Sequence, residues 1–78
     1  MQLTLFYIPT CPYCRKVLSF LKQNSISLNL KNRDGSKENR IELIKLGGKP
    51  QVPCLIADGK AIYESDDIIE WLRNNYRK

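Results

Sequence analysis

Three cysteines are the residues of this chain best suited to covalent chemistry, and two of them, Cys11 and Cys14, form a Cys-x-x-Cys. That spacing serves two purposes: a dithiol that cycles through a disulfide, or half of a zinc knuckle. A closed zinc site needs four ligands, usually Cys or His. The chain has no histidine and a single further cysteine, Cys54, so Cys and His alone cannot complete such a site and no metal is expected. The absence of histidine also removes imidazole catalysis, leaving thiols and carboxylates for any acid-base work. An odd count of three cysteines is no disulfide framework for a secreted mini-protein and points to a reducing, cytoplasmic setting.

What makes the pair reactive is its predicted place in the chain. Residues 3–8 are a nearly continuous apolar and β-branched run, as in a strand covered on both faces, and Pro9 ends it. From Pro12 onward Cys14, Val17, Leu18 and Leu21 recur at helical spacing with Arg15, Lys16, Lys22 and Gln23 turned outward. Pro12 suits the first helical position, where its missing N–H costs no hydrogen bond. Cys11 therefore falls on the positive end of a helix, where free N–H groups and the peptide dipoles favour a thiolate. Cys14 lies on the apolar stripe, inward and less ionised. The pair is asymmetric: Cys11 attacks and Cys14 resolves. The net charge of +5 strengthens this field, because residues 1–33 hold Arg15, Lys16, Lys22, Lys31 and Arg33 and no acid. The same charge suits an anionic ligand or a plain solvated face; nucleic acid is not expected, since no basic run is interleaved with aromatics.

The remaining elements follow from periodicity. Ile26, Leu28 and Leu30 alternate with polar residues, predicting an edge strand with one wet face. Asp34-Gly35-Ser36 supplies a turn and cap before a helix whose inner face uses Ile41, Ile44 and Leu43, stopped by Gly47-Gly48 and Pro50. Residues 52–57 read as a strand returned by an Asp58-Gly59 turn through residues 60–63. Ser65 is the expected N-cap of a last helix with Asp66 and Asp67 in its first turn, Arg73, Arg77 and Lys78 in its last, and Ile68, Leu72 and Tyr76 facing inward. The order βαβαββα implies a parallel strand-helix-strand unit followed by a hairpin, in a four-stranded mixed sheet flanked by three helices. Seventy-eight residues with 42% apolar and 27% charged composition make one α/β domain over residues 1–78. No apolar run approaches the roughly 20 residues of a membrane span and no secretory leader is apparent, so no membrane partner is expected.

Thr10-Cys11-Pro12-Tyr13-Cys14 after the first strand, Val52-Pro53 before the hairpin and Ser65-Asp66-Asp67 opening the last helix together resemble the glutaredoxins, small dithiol members of the thioredoxin superfamily. The resemblance runs from residue 3 to about residue 72. It implies a thioredoxin-like fold and a monomer that uses glutathione to reduce protein disulfides or glutathionylated proteins. By analogy Val52 offers its main chain to the cysteinyl part of glutathione, Pro53 is a cis proline facing the thiols, and Ser65 and Asp66 meet the γ-glutamyl group. Tyr13 edges the groove and Lys49 meets the glycyl carboxylate. Two positions depart from the pattern. Ile8 stands where many glutaredoxins carry a lysine, and Tyr63-Glu64 replaces the Gly-Gly before the last helix. Tyr63-Glu64-Ser65 is similar to the glutathione transferase N-terminal domain, where Glu64 and Ser65 would hold the γ-glutamyl group; a full transferase also needs a helical second domain. The alternatives within the resemblance are a hydrogen donor recharged by a flavoprotein reductase and a module that only binds glutathione or a bridged iron-sulfur cluster. Cys54 is expected to be buried as a small hydrophobe, with a regulatory thiol as the alternative.

Overall fold

The first strand reads as apolar on both faces because it is buried on both. In the computed structural model, which describes residues 3–76, the elements run β1 (Leu3–Tyr7), α1 (Pro12–Gln23), β2 (Asn29–Asn32), α2 (Lys37–Gly47), β3 (Cys54–Ala57), β4 (Lys60–Ile62) and α3 (Ser65–Asn75). The strand order is β2-β1-β3-β4. β1 pairs parallel with β2 and antiparallel with β3, and β3 pairs antiparallel with β4. The predicted order and the edge position of the second strand both hold.

Side chains alternate across the central strands and create two cores. Leu3, Leu5, Leu55 and Ala57 face α1 and α3, packing with Val17, Leu21, Ile68 and Leu72. Phe6, Cys54 and Ile56 face the opposite side and pack with Leu43 of α2. Each fully buried Leu, Ile or Phe contributes about 1.5–3 kcal/mol relative to exposure. Both cores therefore grip β1 and β3, the strands whose ends carry the cysteine turn and the Val52-Pro53 segment.

Local signals fix most boundaries. Ser36 Oγ accepts from the Asn39 N–H at 3.1 Å and caps α2. Gly48, at φ 90°, closes that helix in the left-handed region, its N–H donating to the Ile44 carbonyl at 2.8 Å. Asp58 and Gly59 both take positive φ, 50° and 86°, as a two-residue turn of type I′ requires.

Three expectations need correction. In α2 the buried residue is Leu43, whereas Ile41 and Ile44 are 63% and 42% exposed. Its apolar residues are spread around the helix. The inner face follows the four-residue spacing of Asn39, Leu43 and Gly47, none of them exposed. In the last helix Glu64 is the cap and makes no side-chain capping bond, while Ser65 lies inside the first turn and is buried. Leu30 is 49% exposed, beside a shallow hollow lined by Leu18 and Leu21 at the sheet edge. Asp66, Asp67 and Arg73 sit at the predicted ends of α3; Arg77 and Lys78 lie outside the described residues. No helix among the described residues is long and apolar enough to cross a membrane.

Candidate active site

The strand-to-helix turn after β1 sets the chemistry. Cys11 is the N-cap of α1, with extended backbone angles, and its Sγ accepts the backbone N–H of Cys14 at 3.4 Å. Pro12 occupies the first helical position, as expected from the missing donor. Cys11 is half-buried and Cys14 fully buried, and both are free thiols. Partial burial works against a Cys11 thiolate. Hydrogen bonds from the Cys14 main chain and side chain and from the Tyr13 main chain, together with the Arg33 charge, outweigh it and hold the thiol below its ordinary value. Burial does the opposite at Cys14, pushing its thiol up to about 11; proximity to Cys11 adds to the rise. The two sulfurs thus differ in the way that attack and resolution require.

The second wall of the site comes from the hairpin side. The Val52-Pro53 peptide is cis, and this bend immediately precedes β3. A cavity of about 260 Å³ is lined by Tyr13, Gln51, Val52, Pro53, Tyr63, Glu64 and Ser65. Five of the sequence-predicted residues, Tyr13, Val52, Pro53, Glu64 and Ser65, thus meet around one hollow. Ser65 lies at the N-terminus of α3, where free N–H groups suit a carboxylate. Tyr13 is 65% exposed at the rim.

Four predicted residues are not among those lining that cavity: Cys11 and Cys14, which flank its rim residue Tyr13 in the chain, and Asp66 and Lys49. Asp66 is exposed and ion-paired with Lys16 of α1, and it lines a larger hollow of about 680 Å³ between α1 and α3 together with Phe20, Ile69 and Arg73. That hollow contains neither cysteine and none of the other predicted residues. Lys49 is exposed and its ammonium lies 4.6 Å from the centre of the Tyr63 ring. Of the basic first half, Lys16 is committed to Asp66, and Arg33 is the cation whose charge reaches the thiols.

Sequence reasoning did not single out Tyr63 or Gln51 as lining residues, nor Arg33. Tyr63 donates its hydroxyl to the Lys49 carbonyl at 3.1 Å and so ties the segment before Val52 to the strand before Glu64. Its hydroxyl fills the space a Cβ at Gly47 would occupy. Gly47 read only as a helix stop, and nothing in the linear pattern relates it to Tyr63. Cys54 is buried on the α2 side of the sheet, packed with Phe6, Ile56 and Leu43. Burial pushes its thiol up to about 11, which fits the buried-hydrophobe expectation. Among the described residues no three Cys, Asp or Glu side chains gather as a metal-ligand set.

Comparison with known proteins bears on the fold and the family. The family described as "Glutathione S-transferase, N-terminal domain" matches residues 5–78. Glutaredoxin 3 of Escherichia coli strain K12 is 34% identical over 59 residues, covering 76% of this chain and 71% of that protein. An uncharacterized glutaredoxin-like 8.6 kDa protein in the rubredoxin operon of Clostridium pasteurianum is 30% identical, with 88% of this chain and 99% of that one covered. Among solved structures, a delta-class glutathione transferase of Nilaparvata lugens superposes with a TM-score of 0.79 at 35% identity; the match covers 97% of this chain but spans only 37% of the transferase. A mutant of the thioredoxin-like protein BC3987 superposes with a TM-score of 0.81 at 22% identity, covering 97% of this chain and all of that one, and shows the same fold. With a thioredoxin-like α/β fold, a Cys-Pro-Tyr-Cys helix cap and these relatives, the chain belongs to the glutaredoxins of the thioredoxin superfamily.

Proposed function

We propose that this chain is a glutathione-dependent dithiol oxidoreductase that reduces protein disulfides or protein-glutathione mixed disulfides in a reducing compartment such as the cytoplasm, acting as a monomer. One observation carries the reading: a helix-capping cysteine with a depressed thiol pKa, paired with a buried cysteine whose pKa is raised. The adjacent hollow with cis-Pro53, Glu64 and Ser65 on its walls supports a peptide thiol as co-substrate.

The chemistry runs by thiol-disulfide exchange. Cys11 thiolate attacks one sulfur of the substrate disulfide; that S–S bond breaks, a Cys11 mixed disulfide forms, and the released thiolate takes a proton from solvent. Cys14 then loses its proton and attacks Cys11 Sγ, expelling the second substrate thiolate and leaving a Cys11–Cys14 disulfide. One glutathione thiolate opens that disulfide to a Cys11-glutathione mixed disulfide, and a second releases oxidised glutathione. The two electrons delivered to the substrate come from those two glutathiones. In this scheme Val52 presents its main chain to the cysteinyl unit in the manner of an added strand. Glu64 and Ser65 hold the γ-glutamyl carboxylate and ammonium, aided by Asp66 once it leaves Lys16. Tyr13 closes the rim and Lys49 meets the glycyl carboxylate.

Ile8, an apolar residue in the approach to Cys11, favours a second reading in which a flavoprotein reductase recharges the protein. The test is glutathione-dependent reduction of a mixed disulfide between glutathione and a small thiol, run beside reductase-dependent reduction. Activity with glutathione, lost in Cys11→Ser and partly kept in Cys14→Ser, is expected. Equal activity in Cys11→Ser, or turnover with the reductase alone, overturns the proposal.

A further inference from the structure

A thiolate at Cys11 gains from a nearby cation as well as from the helix end, and the loop that leads into it supplies none: Ile8, Pro9 and Thr10 are uncharged. On α1, Lys16 is occupied by Asp66 and Arg15 is exposed. Arg33, directly after β2, is placed differently. Its main-chain N–H donates to the Tyr7 carbonyl at 2.8 Å, so its side chain leaves the sheet at the same end as the cysteine loop.

The guanidinium is then fixed on two sides. Nε and Nη2 donate to the two carboxylate oxygens of Asp34 at 3.1 and 3.2 Å, and Nη1 donates to the Pro50 carbonyl at 2.9 Å. A planar fork of donors can make these bonds together, whereas an ammonium cannot. The Arg33 side chain is 22% exposed and that of Asp34 53%, so the cation is sheltered and its counter-ion is in water. Screening is uneven as a result: solvent weakens the carboxylate's field more than the guanidinium's. Consistently, Arg33 acts on both thiols in the direction of ionisation. Arg40 of α2 is a further cation whose charge reaches Asp34, and Lys49, next to Pro50 in the chain, lies over the Tyr63 ring. Pro50 lies two residues before Val52, so one side chain links the end of β2 to the segment that forms the ligand wall.

We infer that Arg33 is a positioning residue for the thiol chemistry, supplying the fixed positive charge at the Cys11–Cys14 pair while its bond to Pro50 sets the segment bearing Val52 and Pro53. The inference rests on the dithiol reading above, with Cys11 as the ionised nucleophile.

The experiment is the pH dependence of iodoacetamide alkylation at Cys11 in the whole protein, followed by mass spectrometry, for the native chain and for Arg33→Gln, Arg33→Lys and Asp34→Asn. The native midpoint is expected below that of a free thiol, about 8.5. Arg33→Gln is expected to raise it by about half a pH unit or more, and Arg33→Lys to recover most of that shift because the charge returns. Asp34→Asn, at an exposed turn, removes the negative charge and one of the two acceptors of the fork while leaving one oxygen to accept from it, and is expected to lower the midpoint, since the charge that offsets the guanidinium is gone. In parallel the Michaelis constant for glutathione is expected to rise in both Arg33 variants, because neither keeps the fork that holds Pro50. A depressed native midpoint that neither Arg33→Gln nor Asp34→Asn moves overturns this inference and leaves the dithiol reading standing. An ordinary midpoint in the native chain overturns both. If Arg33→Gln does not fold, the direction of the Asp34→Asn shift decides.

Discussion

The backbone N–H of Cys14 donates to Cys11 Sγ over 3.4 Å while the thiol of Cys14 itself is fully buried. One residue thus favours a Cys11 anion through its main chain, while burial of its side chain favours the protonated form of its own sulfur. Replacing Cys14 by serine removes the second sulfur and keeps the main-chain donor. Cys14→Ser is therefore expected to retain reduction of a glutathione mixed disulfide within about tenfold, and to lose reduction of a protein disulfide that needs the second thiol. Stopped-flow assays with the two substrate types separate these outcomes.

Alkaline pH is expected to destabilise the fold through its buried thiols. Cys14 and Cys54 are each raised to about 11 from a usual value of about 9. Their contribution is fully present below pH 9 and is lost as pH rises through 11, because the unfolded chain ionises first. Cys11, lowered by its hydrogen bonds despite partial burial, has the opposite sign: its contribution is present above the unfolded value and fades as pH falls through the folded one. Urea midpoints measured from about pH 8 to about pH 11 are expected to fall, and Cys54→Ala is expected to flatten that fall while lowering the midpoint at the neutral end.

Gly47 and Tyr63 are expected to be energetically coupled. A Cβ at Gly47 would collide with the Tyr63 hydroxyl and ring, although alanine is otherwise favoured over glycine in a helix by about 1 kcal/mol. Gly47→Ala is expected to destabilise the native chain by about 1–2 kcal/mol and to be neutral or stabilising in a Tyr63→Leu background. A double-mutant cycle in urea reads the coupling directly, and additive effects would count against the close approach.

The face that α2 buries is tested by alanine substitution. Leu43→Ala is expected to cost about 2–4 kcal/mol, as for a fully buried leucine. Ile41→Ala, at 63% exposure, is expected to stay within about 0.5 kcal/mol. The reverse ranking would place Ile41 on the inner face.

The Lys16–Asp66 ion pair is exposed on both sides, so Lys16→Gln is expected to change stability by no more than about 0.5 kcal/mol. If Asp66 must leave Lys16 to meet the γ-glutamyl ammonium, the same variant lowers the Michaelis constant for glutathione and Asp66→Asn raises it. Unchanged constants in both would remove Asp66 from the glutathione site.

Much of the architecture was legible where a local rule and the tertiary environment agree. Pro12 and the apolar stripe of Cys14, Val17 and Leu21 announce α1 and the asymmetric thiols before any packing is considered. Asp58-Gly59 fixes the hairpin because only residues tolerant of positive φ make that turn. The α2 face was misread because Ile41, Leu43, Ile44 and Leu46 offer more than one apolar stripe. The approach of Tyr63 to Gly47 then selects the one that contains Leu43.

The order of elements, the helix-capping position of Cys11 and the inward position of Cys14 are written in the amino-acid sequence, since each depends on side chains and dihedral preferences within a few residues. Which charges act on the sulfurs and which residues share a cavity emerge only when the chain is packed. Arg33 meets Pro50 and Tyr63 meets Lys49 across 17 and 14 residues, and Lys16 is taken by Asp66 from 50 residues away. Such partners are set by how strands and helices pack, and an exposed lysine and a sheltered arginine are indistinguishable until that packing separates them in solvent screening.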